Sequence, residues 1–427
     1  MDFDPWLLCA AAVNPDRPAL LTPAGSLTYA ELADRARAAA GGLAARGVRP
    51  GDLVGLALPP GEDFATALHG CLLLGAAAVP VDLRLAAAER DSRMQGVATS
   101  VDGPIDGPTL ADVLPHRADA VATVMHTSGS TAAPKRVSLT YGNWMWNALG
   151  SALALGLDAE ERWLCPMPLV HVGGLSILLR STIYATTVVL PGRFEVEAVK
   201  RELSDPDRRI TLVSLVPTML SRLLDAGLEH PPILRWALLG GGPIPPGLVS
   251  RARAAGVPVA STYGMTEACS QIATRGWPLT GVELRVAADG ELLVRGPTVA
   301  PGALGPDGWL HTGDLGTLDE RGRITVIGRR SDTIVTGGEN VAPAEVEAVL
   351  LEHPAVADAA VHARSDAEWG ERLVASVVLR EGADASVEEL RTHCTARLAS
   401  FKVPKTVEFT DALPRTPNGK LLRGELG

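Results

Sequence analysis

"AVATVMHTSGSTAAPK", residues 120–135, sets the fold. Its first half is a short apolar run rich in β-branched residues, a strand pattern. Its second half crowds Thr127, Ser128, Ser130 and Thr131 around Gly129 and closes on Lys135, and a helical pattern begins near Tyr141. Strand, polar loop and helix in succession predict an α/β fold, whose ligands bind on loops at the carboxyl ends of parallel strands. The spacing is not the G-x-x-x-x-G-K-[ST] of the Walker-type loop. Backbone N–H groups and hydroxyls of such a loop can still wrap phosphate oxygens, with Lys135 adding charge.

Outward from this stretch, apolar runs alternate with amphipathic helical patterns. "LTYAELADRARAAAGGLAARGV" reads as a helix ending at Gly47, "LVGLAL" from Leu53 as a strand, and "DFATALHGCLLLGAAAV" as a second helix. "ATTVVL", "ITLVSLV" and "RWALLGGGP" add strands with turns behind them. After about residue 280 the texture changes: Asp289-Gly290 and Arg321-Gly322 each join alternating strands as hairpins. From Ser331 onward, helices ("APAEVEAVLLEHP", "SVEELRTHCTARLASF") interleave with strands ("ADAAVHA", "LVASVVLR"). The boundary is expected at Arg329–Asp332, dividing the chain into domains of residues 1–329 and 330–427.

A chain of 427 residues with 46% hydrophobic composition can bury a large core and more than one domain. A net charge of −10 without a long basic run argues against nucleic acid as a partner. The five cysteines are scattered and odd in number, as expected of reduced thiols rather than a disulfide framework. Asp2 and Asp4 stand where a secretory leader would carry basic residues, and the apolar "CLLLGAAAVPV" is too short to span a bilayer. A cytoplasmic protein without membrane insertion is the expectation. Of 39 basic residues only five are lysine: Lys135, Lys200, Lys402, Lys405 and Lys420. Where arginine is written almost everywhere, a retained lysine points to a need for a compact ammonium on a thin stem. Lys200 carries no such reading.

"STYGMTEACSQ", residues 261–271, supplies a ring at Tyr263, a hydroxyl at Thr266 and a carboxylate at Glu267. The ring suits stacking on a purine, the hydroxyl an α-phosphate oxygen, and the carboxylate Mg²⁺, which prefers hard oxygen ligands. "GWLHTGDLG" offers Asp314 to ribose hydroxyls, and "GRRSDTIVTGGENVAPAEVE" and "PRTPNGKLLR" complete an ordered set.

These motifs, spread over almost the whole chain, resemble the adenylate-forming superfamily of acyl-CoA synthetases, adenylation domains and luciferases. The resemblance implies a large N-terminal domain of parallel-rich sheets flanked by helices plus a small barrel-like part. A small mobile α+β C-terminal domain would follow, with the active site between the two. It implies ATP, Mg²⁺ and coenzyme A as cofactors, and two steps: a carboxylate and ATP give acyl-AMP and pyrophosphate, then a thiol takes the acyl group. By motif, Thr127, Ser128, Gly129, Ser130, Thr131 and Lys135 would cover the β- and γ-phosphates. Tyr263 would stack on adenine, with Gly241 also at the nucleotide; Thr266 would touch the α-phosphate, Glu267 hold Mg²⁺, and Asp314 and Arg329 hold the ribose. Ser331 would be the hinge, Gly337 and Gly338 would line the pantetheine tunnel, and Lys420 would be the catalytic lysine of adenylation. The superfamily loop usually has a second glycine where this chain has Ala132. If that position needs a positive φ, alanine costs about 1 kcal/mol or more and weakens ATP binding.

"CPMPLVHVGGLSILLRSTIYATTVVL", residues 165–190, bears on the acid. His171 falls at the mouth of the acyl pocket by resemblance, or is a core histidine at a helix start. Arg180 sits in an otherwise apolar helix, where it either snorkels to solvent or meets an anion. With "LLGGGPIP" and "YGMTEACSQIAT", this segment resembles the o-succinylbenzoate-activating branch that serves menaquinone biosynthesis more than fatty-acid or acetate ligases. That acid has two carboxylates, one activated and one in need of a partner. Arg180 is the candidate, directly or through water, with Ser270 beside it, while Gly240, Gly241 and Gly242 would pass the aromatic ring or simply form a strand-to-helix turn. The rival readings are a ligase for another aromatic or medium-chain acid, a stand-alone adenylation domain loading a carrier protein, and a nucleotide-binding regulator without catalysis. A homodimer is admitted as the assembly.

Overall fold

Three helices among the described residues start where a short polar residue and a partner one turn on satisfy each other's backbone N–H. Thr28 accepts from the Glu31 N–H at 3.2 Å, and the Glu31 carboxylate accepts from the Thr28 N–H at 2.8 Å, opening the helix Tyr29–Ala45. Thr140 and Asn143 form the same box at the start of the helix Tyr141–Leu155, directly behind the strand Lys135–Thr140. The computed structural model describes residues 1–127, 135–366, 369–415 and 421–426.

Two sheets dominate the first half. One runs Thr99–Val101, Leu53–Leu56, Ala77–Pro80, Val121–Thr127, Lys135–Thr140, parallel until the last strand turns back. The other has nine strands, parallel from Pro18–Thr22 through Thr187–Val189, Arg162–Leu164, Leu212–Leu215 and Trp236–Leu239 to Val259–Met265. Antiparallel edge strands close it at both ends. The inner parallel strands Ala77–Pro80, Thr187–Val189 and Leu212–Leu215 are buried on both faces, as parallel sheets packed by helices require. A four-stranded antiparallel sheet, Glu283–Arg329, follows, with its hairpins at Gly290 and Gly322, both at positive φ. Asn143 ties it to the large sheets by donating to the carbonyls of Pro297 at 2.8 Å and Val299 at 3.0 Å.

Beyond it, Ile334–Thr336, Glu339–Val341, Val356–Asp366, Gly370–Leu379 and Thr406–Phe409 form a sheet covered by the helices Pro343–Leu351 and Val387–Thr395. Its apolar cluster draws only on residues from Ile334 to Val407. Among the described residues no helix is long and apolar enough to cross a membrane.

One expected helix is shorter than its pattern. The helix Glu62–Leu74 stops at Gly75, which takes the left-handed conformation (φ 76°), and Ala77–Pro80 is a buried strand. An all-apolar run fits either element, and the left-handed glycine cap decides where one becomes the other.

Under the first sheet lie two buried histidines. His116 stacks on the Tyr141 ring at 4.3 Å with Trp6 edge-on at 5.0 Å, and His69 meets the Thr182 hydroxyl at 3.2 Å. Burial pushes His69 down to about 4 and His116 to about 3. Each binds a proton more readily in the unfolded chain, so their contribution to stability is complete above about pH 6.5 and drains away as pH falls towards those values. The melting temperature should therefore fall between pH 6.5 and 4.5. His116→Phe, which keeps the stack, should make the decline shallower; an identical slope in the variant would remove His116 from the cause.

Candidate active site

The opening loop springs from a hairpin base. Thr127 and Lys135 face each other across the strands, with the Thr127 hydroxyl 3.5 Å from the Lys135 carbonyl. Lys135 is exposed, and no carboxylate among the described residues pairs with it. Ser128, Gly129, Ser130, Thr131 and Ala132 lie outside the described residues.

The strand Val259–Met265 delivers the second group. It runs into a one-turn helix, Thr266–Ala268, and doubles back through Cys269 (φ 55°) and Ser270 (φ 89°) to the antiparallel strand Ser270–Thr274. The return is tight: a Cβ on Gly264 would lie 1.7 Å from the Ser270 carbonyl oxygen. Only glycine admits this close approach, and the consequence is that Thr266 and Glu267 sit half-buried at the tip. The Ala300 N–H donates to the Glu267 carbonyl at 2.8 Å, pinning the tip to the following segment.

Asp314 is the best-organised carboxylate here. It is buried, and its register partner on the neighbouring strand is Arg329, whose Nε lies 2.8 Å from Oδ1. The Tyr263 hydroxyl donates to Oδ2 at 2.8 Å, and the Thr312 hydroxyl accepts from the Asp314 N–H at 3.0 Å. Burial raises the Asp314 pKa against the opposing pull of Arg329, and burial and the same carboxylate raise Tyr263. The ring of Tyr263 is thereby fixed, and the remaining lone pairs of Asp314 can accept from a diol.

On the acyl side, His171 caps the helix Val172–Tyr184 through its backbone, accepting from the Leu175 N–H at 3.0 Å, and its ring is half-exposed. It sits close enough to Asp82 to help Arg84, the larger influence, hold that carboxylate down. Gly240 packs on the next strand, where a Cβ would come within 2.6 Å of the Thr262 side chain; Gly241 has φ 81°, and Gly242 faces open space. The turn reading accounts for the first two glycines.

Arg180 does not snorkel. It is 1% exposed, donates to the Asn147 amide oxygen, and its guanidinium lies 5.7 Å from the Trp163 ring centre. Its Nε has no hydrogen-bond partner, and no carboxylate among the described residues pairs with it. Burial lowers its pKa. Asn147 in turn donates to the Gln271 carbonyl at 3.0 Å, linking the cation to the strand that Ser270 begins.

The hinge candidate Ser331 lies in a one-turn helix, Arg330–Asp332, and is exposed. Gly337 (φ 58°) and Gly338 (φ 82°) form a two-residue hairpin turn whose geometry favours glycine at both positions. A Cβ on Gly337 would lie 2.8 Å from the Trp369 ring, and the Lys405 ammonium lies 2.7 Å from a centre of that ring. Lys420 lies outside the described residues. Asn147 and Trp369 drew no attention in the sequence. An amide within an apolar helix, and a tryptophan beside a glycine at the end of a strand, were the available signals.

Residues 9–101 and 92–304 match the family model of the AMP-binding enzyme, and residues 345–420 that of the AMP-binding enzyme C-terminal domain. The 2-succinylbenzoate–CoA ligase of Bacillus licheniformis is 38% identical over 480 residues, covering 100% of both chains. That of Bacillus subtilis is 39% identical over 474 residues, covering 99% of this chain and 97% of its own. The structure of o-succinylbenzoate coenzyme A synthetase (MenE) from Bacillus subtilis with ATP and magnesium ion is 38% identical, covers 100% of each chain and gives a TM-score of 0.91. A double mutant of the same protein bound to the product analogue OSB-NCoA covers 100% of this chain and 98% of its own, but gives 0.72. The present arrangement is thus more similar to the ATP complex than to the product-analogue complex.

Proposed function

The chain belongs to the AMP-binding enzyme family, with both its large and its C-terminal parts, and from that premise we infer an ATP-dependent acid–CoA ligase whose acid is o-succinylbenzoate. The observation that carries the nucleotide half is the Tyr263–Asp314–Arg329 cradle beside the Thr266–Glu267 tip. A carboxylate oxygen of the acid attacks the α-phosphorus of ATP, the bond to the bridging oxygen breaks, and pyrophosphate leaves. The coenzyme A sulfur then attacks the acyl carbonyl, and AMP leaves.

Within this reading the residues divide between nucleotide, thiol and acid. Tyr263 stacks on the adenine, with Gly241 beside it, and Asp314 and Arg329 hold the ribose. Thr266 donates to the α-phosphate, while Thr127, Ser128, Gly129, Ser130, Thr131 and Lys135 grip the leaving pyrophosphate. Glu267 is a single half-buried carboxylate with no cluster of further acidic, histidine or cysteine ligands among the described residues. That donor set fits Mg²⁺, which takes one or two carboxylates and completes its shell with water and substrate phosphates. When bound, Mg²⁺ would draw off charge from the triphosphate. Gly337 and Gly338 border the thiol's route, and Lys420 stabilises the charge that builds on the phosphorus oxygens. A division at Arg329–Asp332, with Ser331 as pivot, would let one lobe serve both steps.

Arg180 is the residue that favours this acid. A buried guanidinium without a carboxylate partner is a costly arrangement unless an anion completes it. The distal carboxylate of o-succinylbenzoate does so, through Asn147 and water, with His171, Ser270 and Gly240–Gly242 around the ring. Five free thiols agree with a reducing, cytoplasmic setting. Coenzyme A thioester formation should be efficient with o-succinylbenzoate and poor with benzoate and octanoate. Equal turnover of the three, or acyl transfer only to a carrier protein, would contradict the assignment.

A further inference from the structure

Charged contacts change sides at Ser331. Before it, Arg329 bonds Asp314, and Arg330 Nη1 reaches Asp289 at 2.8 Å and Glu291 at 3.4 Å, all on the antiparallel sheet. After it, Asp332 Oδ2 meets Arg423 Nε at 3.3 Å. Arg423 also donates a fork to Glu347, with Nη2 to Oε2 at 2.9 Å and Nη1 to Oε1, and Nη1 donates to the Val361 carbonyl at 2.8 Å. Glu347 is itself buried and accepts from the Val361 N–H at 2.7 Å, so this anchor stands on the core of the second lobe. Ser331 is left as the residue between two sets of anchors.

Arg423 comes three positions after Lys420, and the flanks of residues 416–420 are closed against each other. Arg415 and Leu421 pair antiparallel, and the Leu422 N–H donates to the Pro414 carbonyl at 2.9 Å. On the incoming side, Arg415 Nη2 lies 2.8 Å from both carboxylate oxygens of Asp358. On the outgoing side the charged anchor is Arg423. A guanidinium fork suits this task because it fixes direction as well as distance, which an ammonium does not.

We propose that Arg423 is a positioning residue for adenylate formation: it ties the segment that follows Lys420 in sequence to Glu347 and to Asp332, next to the hinge candidate Ser331. The inference rests on the assignment of Lys420 to adenylation. It confines the role of Arg423 to the first half-reaction, because the acyl transfer to the thiol does not use the lysine.

The test measures the two half-reactions separately in the full chain: acid-dependent ATP–pyrophosphate exchange, and thioester formation from supplied o-succinylbenzoyl-adenylate and coenzyme A. Arg423→Gln should slow exchange about 10- to 100-fold, the usual loss for a misplaced catalytic group, with KM for ATP and acid little changed. Thioester formation should be unchanged, and Arg423→Lys should recover part of the loss. Unchanged exchange, or an equal fall in both half-reactions, overturns the proposal. Lys420→Ala run in parallel separates the two claims. If that variant keeps its exchange rate, the reading of Lys420 fails; if it loses exchange while Arg423→Gln does not, only the positioning role fails. Should Arg423→Gln not fold, Asp332→Asn at the exposed edge of the clamp decides: a selective loss of exchange supports the clamp, and no loss overturns it.

Discussion

Lys420→Ala should slow adenylate formation about 10²–10³-fold, roughly 3–4 kcal/mol, while leaving thioester formation from supplied acyl-adenylate intact. Attack on the α-phosphorus gathers negative charge on the oxygens of a five-coordinate centre, so a cation aimed there binds the transition state more tightly than the ground state. The second step breaks the bond between acyl carbon and phosphate oxygen, where that charge is no longer concentrated on phosphorus. The sequence retains lysine at five places among 39 basic residues, and position 420 is one of them. A thin, compact ammonium can enter beside the phosphate where a planar guanidinium cannot. ATP–pyrophosphate exchange and single-turnover thioester formation measure the split, and equal loss in both would refute the division of labour.

Arg180→Leu should raise KM for o-succinylbenzoate by roughly thirtyfold, about 2 kcal/mol, with KM for ATP nearly unchanged. The same substitution separates recognition from folding. The guanidinium is buried against Asn147 and Trp163 without a carboxylate, so replacing it with a shorter apolar side chain relieves desolvation while it removes the donor to the Asn147 amide oxygen. These effects oppose each other, so the melting temperature should change little while affinity for the acid falls. If both KM values stay put, Arg180 does not serve the acid.

Local rules written into the sequence were legible where neighbours along the chain decide the outcome. The Asp289-Gly290 hairpin and the turn that follows Tyr263 through Thr266 and Glu267 depend on residues a few positions apart, while the roles of these residues are proposed from motif resemblance. The end of the Glu62–Leu74 helix was not legible, because Ala76–Val79 is as apolar as the helix before it and only the backbone of Gly75 separates them. The internal wiring of the site was harder still. Tyr263 and Asp314 are 51 residues apart, Arg180 and Asn147 33, and Arg423 and Asp332 91. A polar type can be flagged by its apolar surroundings, as Arg180 was, but its partner is chosen by strand register and helix packing. Gly337 illustrates the overlap of causes: a hairpin turn and the close approach of the Trp369 ring both favour glycine there, at the position proposed to border the thiol's route.

The central claim is that the second lobe brings the Lys420 ammonium to the phosphorus joining nucleotide and acid. A crystal structure of the full chain with an unreactive acyl-adenylate analogue and Mg²⁺, in the adenylate-forming arrangement, measures this directly. The account predicts Lys420 Nζ about 3 Å from an α-phosphate oxygen. Nζ pointing into solvent in that complex, with another cation at the phosphate, would contradict it.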